Sequence, residues 1–137
     1  MKGQTRAQQR ALEVYARVRA VRDEHPGLCA EYKPRVNGLG AAVLRDGLAA
    51  ALSFLEREVQ SNDAAQRLMK DLTWCLERAE MPGLSPRELK DKGGLPGAVR
   101  GLGLSEYMLA TREALRLLVW FRRAVQVTFP TEARGDA

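Results

Sequence analysis

The chain is poor in the side chains that perform chemistry. Its 137 residues include one histidine and two cysteines, and only 6% are aromatic. His25 stands before Pro26-Gly27, a loop setting with no second imidazole to share a metal. Cys29 and Cys75 lie far apart without any C-x-x-C spacing, so they read as two reduced, buried thiols of a cytoplasmic protein. No apolar stretch approaches the length of a membrane span, the longest uncharged apolar-leaning run, Gly47 to Leu55, being nine residues. The opening "MKGQTRAQQRALEVYARVRA" lacks the apolar core of a secretory signal. "GLGAAVLRDG" follows no strand and lacks the G-x-G-x-x-G spacing of a dinucleotide loop. Without a nucleophile–base pair or a Glu-x-x-His motif, no catalytic residue, metal, cofactor or small-molecule substrate is expected.

What is present favours helix. Ala, Leu, Arg and Glu abound, β-branched residues are scarce, and 45% hydrophobic with 28% charged residues is a globular balance. The sequence predicts an all-α, single-domain bundle over residues 1–137 with five or six helices, and with disordered tails at 1–4 and 129–137.

The first helix should span Thr5 to Glu24, with Ala7, Ala11, Val14, Val18 and Val21 as its buried stripe and Arg6, Arg10, Glu13 and Arg17 beside it. His25-Pro26-Gly27 ends it. A short helix from Cys29 to about Asn37 follows, interrupted by Pro34; "NGLG" then forms a turn or cap before Ala41 to Arg45 resumes. Asp46 is read as the N-cap of a helix to Gln60, and Asp63 as the cap of one from Ala64 to Glu80. Residues 81–104 gather prolines and glycines into an irregular connection, in which "SPRELKD" marks one short helix: Ser85 at N-cap, Pro86 at N1, Glu88 at N3. A last helix should run from Ser105 to about Val127, with Arg112, Arg116 and Arg123 as an exposed basic line.

The net charge of +5 sits at the two ends of the chain. Residues 1–22 carry Lys2, Arg6, Arg10, Arg17, Arg19 and Arg22 against Glu13 alone, whereas the middle of the chain is slightly acidic. Guanidinium groups in lines on helices grip phosphates through paired hydrogen bonds; a solvated face that keeps the protein soluble would read the same way.

Two segments narrow the choice. "YKPRVNGLGAAVLRDGLAAALSFL" places an Asn-Gly-Leu step before an Ala- and Leu-rich helix with a Phe-Leu pair, and "YMLATREALRLLVWFRRAV" is a Glu-Ala-Leu helix ending in Leu-x-Trp and two basic residues. Together they resemble the signature of the small α-helical subunit of the Cmr (type III-B CRISPR-Cas) RNA-silencing complex. Asp46 departs from an expected asparagine and Ala124 from an expected aromatic. The resemblance implies a non-enzymatic, cytoplasmic subunit in antiviral defence that stacks with copies of itself and with other Cmr subunits along guide RNA and target RNA. Arg17, Lys33, Arg35, Arg45, Arg112, Arg116 and Arg123 are then the expected RNA contacts, and Tyr32, Trp74 and Trp120 candidates for subunit stacking. The alternative is a helical adaptor or regulator that binds protein and no nucleic acid.

Gly47 admits two readings. It lets another backbone or side chain approach the first turn of its helix, or it bares that helix N-terminus to an anion beside Arg45 and Lys33.

Overall fold

The computed structural model describes residues 3–130, and every regular element in that span is helical. α1 (Arg6–Glu24) starts at Thr5, whose side chain accepts from the Gln8 N–H while Gln8 caps Thr5 in return. A 3-10 turn, Pro26–Leu28, leads into α2 (Cys29–Asp46), followed by α3 (Leu48–Val59) and α4 (Asp63–Arg78). Two short helices, α5 (Pro86–Asp91) and α6 (Leu95–Arg100), precede the long α7 (Leu104–Thr128). α7 packs on α1 and α2, and α2 also packs on α3 and α4, so α2 and α7 form the axis of the bundle.

α2 departs from its expected shape. It is one continuous helix through Pro34 and through "NGLG", because Cys29, Tyr32, Val36, Leu39 and Val43 recur every three or four residues and all reach the core. Burying that row outweighs the penalties of about 1 kcal/mol for a helical glycine and about 3 for proline. Pro34 and Gly38 lie on the outer face, and the space beside Gly38 is open. Gly40 faces α7, where a Cβ would stand 3.9 Å from Cβ of Leu118.

Asp46 is the last residue of α2 and caps nothing; the break between helices is Gly47 itself, at φ 93° and ψ 162°. Side chains are essentially excluded from that region of backbone space. The Tyr107 hydroxyl from α7 lies 3.2 Å from where a Cβ would be, and it accepts a hydrogen bond from the Ala49 N–H at 3.0 Å. A neighbouring side chain therefore occupies the first turn of α3, as the packing reading of Gly47 requires. Gly47→Ala should cost about 1–3 kcal/mol in urea unfolding, and Tyr107→Phe about 1 kcal/mol through loss of the cap alone. Equal stability of Gly47→Ala and wild type would contradict this account.

Two further boundaries differ from expectation. Asn62, not Asp63, caps α4, accepting from the Ala65 N–H at 2.9 Å. The connection after α4 holds a second helix, α6, besides the expected "SPRELKD" helix, and buries Leu84, Leu89, Leu95, Ala98 and Val99. Gly97 permits that compaction, since a Cβ there would meet the Lys92 carbonyl oxygen. Phe129, assigned to the disordered tail, is instead buried edge-on against the Tyr32 ring at 5.8 Å. Residues 1, 2 and 131–137 of the expected tails lie outside the described residues.

Candidate nucleic-acid interface

The expected arginine contacts divide into inward and outward ones. On α1, Arg6, Arg10 and Arg17 reach buried carboxylates, whereas Arg19 is exposed and Arg22 pairs with its neighbour Asp23. Arg10 meets Glu113 of α7 through two hydrogen bonds, Nε to Oε2 at 2.7 Å and Nη2 to Oε1 at 2.8 Å, and Arg6 adds a third at 3.3 Å. Burial by itself would raise the Glu113 carboxyl, but the Arg10 hydrogen bonds with the charges of Arg10, Arg6 and Arg116 outweigh it and hold the group below the usual carboxylate range. The same hydrogen bonds push the Arg10 guanidinium up.

Arg17 belongs to a second cluster. Fully buried Asp71 of α4 accepts from Arg17 Nε at 2.9 Å, from Arg67 Nε at 3.1 Å and from the Tyr32 hydroxyl at 2.7 Å. Burial, then Asp71, pushes the Tyr32 phenol well above its ordinary value. The Arg17 guanidinium also lies 4.9 Å from the Trp74 ring centre, with Arg78 at 3.9 Å. Arg17 is thus a structural strut, and fully buried Tyr32 is core, not a stacking surface. Sequence reasoning passed over Asp71 and Glu113, yet both lie on apolar stripes: Leu68, Asp71, Leu72, Cys75 and Ala110, Glu113, Ala114, Leu117. A carboxylate at a core position of a helix was the available signal.

A line of outward arginines lies on α7. Arg112, Arg116 and Arg123 are exposed and form no ion pair among the described residues. They share one stripe with Leu109, 43% exposed, and Val119, 49% exposed, in the order 109, 112, 116, 119, 123 that a helix face dictates. Arg123 lies 5.2 Å from the half-buried Trp120 ring. Glu113, between Arg112 and Arg116 in sequence, points to α1, which leaves the stripe without a carboxylate.

The remaining expected contacts lie on α2. Lys33 is half-buried without an ion pair among the described residues, Arg35 pairs with Glu58 at 3.3 Å, and exposed Arg45 pairs with its neighbour Asp46. Arg35 and Arg45 rim an open groove of about 690 Å³ between α2 and α3, floored by Gly38, Ala41, Ala42 and Ala50 and walled by Phe54. The structure therefore groups Arg112, Arg116 and Arg123 on one face, Arg35 and Arg45 on another, and ties the partly exposed Arg17 to buried Asp71. Among the described residues no group of three or more His, Cys, Asp or Glu could hold a metal ion, and no helix is long and apolar enough to cross a membrane.

Comparison with known proteins places this architecture. The family model of the CRISPR-associated protein Cas_Cmr5 matches residues 6–128, nearly the whole described span. The chain is similar to the crystal structure of a CRISPR-associated Cmr5 family protein from Thermus thermophilus, with 28% identity, coverage of 93% of this chain and 100% of that one, and a TM-score of 0.71. No curated protein sequence matches. The match extends from the first residue of α1 to the last of α7, and the chain belongs to the Cmr5 family, the small subunits of the Cmr type III-B CRISPR complex.

Proposed function

We propose that the chain is a non-catalytic subunit of the Cmr ribonucleoprotein that stacks with copies of itself and other subunits, and that the outer face of α7 holds guide RNA or target RNA. The observation that carries this reading is the line Arg112, Arg116 and Arg123, exposed and, among the described residues, free of carboxylate partners. Rigid guanidinium groups spaced along a helix follow phosphates without reading bases, which suits a subunit that must accept any guide sequence. Lys33 joins the proposed contact set. Arg45 and Arg35 enter it only by giving up Asp46 and Glu58, and Arg17, whose Nε is tied to Asp71, stays in it through its Nη groups alone. Leu109 and Val119, interleaved with the arginines, supply apolar surface for a neighbouring subunit.

Purification of the tagged protein from its native cytoplasm, with sequencing of co-purifying RNA, tests the reading. Large companion subunits together with short RNAs sharing one 5′ sequence are expected. A protein partner recovered without RNA would favour the adaptor and leave the α7 arginines as a solvated face.

A further inference from the structure

Away from α7, the 3-10 turn and the outer face of α4 enclose an open cleft of about 480 Å³. Its lining is His25 and Leu28 on one wall and Asp63, Gln66, Arg67 and Lys70 on the other. The four α4 residues are spaced i, i+3, i+4, i+7, one face of the helix. We infer that this cleft binds a phosphate-type oxyanion, either the phosphodiester of an RNA strand or a free phosphate, at a site separate from the α7 stripe.

Charge and geometry both support it. Asp71 carries one negative charge behind the cleft and is shared by two guanidinium groups, so the cluster of Arg17, Arg67 and Asp71 keeps one positive charge. Only Nε of Arg67 is used on Asp71; among the described residues neither of its Nη groups makes a hydrogen bond, and neither is among the polar atoms sealed from solvent. The side chain is nevertheless only 12% exposed, held in place by a carboxylate that Tyr32 and Arg17 also fix. A guanidinium fixed through Nε, with its other two nitrogens free, is ready to take two oxygens of an anion. Lys70, exposed and without an ion pair among the described residues, stands one turn further along the same face and supplies a second charge. His25 lines the opposite wall and brings an imidazole to it. Asp63 alone opposes an anion, and its place in the first turn of α4 explains it, since a carboxylate is favoured there.

The single histidine makes the cleft directly observable, because the His25 ring gives the only imidazole signals in an NMR spectrum of the full chain. Inorganic phosphate, and separately a short single-stranded oligoribonucleotide, would be titrated at fixed pH and fixed ionic strength, with chloride as control. A saturable shift of the His25 signals is expected with phosphate or with the oligoribonucleotide and not with chloride. A response to both marks a general phosphate site; a response to the oligoribonucleotide alone marks an RNA backbone contact. Lys70→Ala should weaken the response about five-fold, Asp63→Asn should strengthen it, and replacement of Arg112, Arg116 and Arg123 by alanine should leave the phosphate response intact, which separates this site from the proposed function of α7. No saturable shift with either probe, or an identical response in Lys70→Ala, would overturn the inference.

Discussion

Asp71→Ala should lower the unfolding free energy by about 3–5 kcal/mol, the range for removing one partner of a buried ion pair. The carboxylate is fully buried and receives Arg17 from α1, Arg67 from its own helix and the Tyr32 hydroxyl from α2, so three helices meet on it. Removing it leaves two largely buried guanidinium groups facing each other and a buried phenol without an acceptor. Tyr32→Phe loses only one hydrogen bond and should cost about 1–2 kcal/mol. Urea unfolding of both variants checks the hierarchy. A loss below about 1 kcal/mol for Asp71→Ala would show that the cluster is incidental to the fold.

Alkali should destabilise the protein from about pH 9 upward, and Cys75 should be a main cause. Burial, reinforced by the charges of Glu13 and Asp71, pushes its thiol up from 9.0 to about 12. A raised value in the folded state gives stability that is present below the unfolded value and lost as pH rises past it. Between pH 9 and 12 the unfolded chain releases a proton that the folded chain retains, so stability falls by about 1.4 kcal/mol per pH unit from this group. Cys29 and Tyr32, also raised by burial, act in the same direction. Unfolding free energies at several values between about pH 8 and 11 should fall along this limb and fall less steeply in Cys75→Ala. Parallel limbs for the two proteins would refute the assignment.

How legible this molecule was depends on what each feature rests upon. The helices with regular apolar rows and self-contained caps, α1 from Thr5 and α5 from Ser85, could be read directly because their signals are local. Punctuation by glycine and proline misled where burial overrode it: the row Cys29 to Val43 carries α2 through Pro34 and both glycines, and the apolar pairs of the Leu95–Arg100 segment fold it as α6 despite Pro96 and Gly97. Gly47 admits a packing reading from sequence, but its partner Tyr107 lies on a helix far along the chain and no local pattern could name it. The site shows the same division. The α7 line was visible as helical spacing, whereas the fate of Arg17 depended on Asp71, a long-range partner. A basic stripe on α1 and one on α7 look alike in sequence; which of them is spent on buried carboxylates is decided only by how the helices pack.

The central claim, that Arg112, Arg116 and Arg123 grip RNA phosphates, is tested most directly by the salt dependence of RNA binding in the assembled complex. Wild-type and triple-alanine subunits would be compared after circular dichroism shows equal folding. The account predicts weaker retention in the variant and a plot of log affinity against log salt concentration that is shallower by about 2, since each lost phosphate contact removes about 0.7 from the slope for a single strand. A well-folded triple variant with the affinity and slope of the wild type would contradict it.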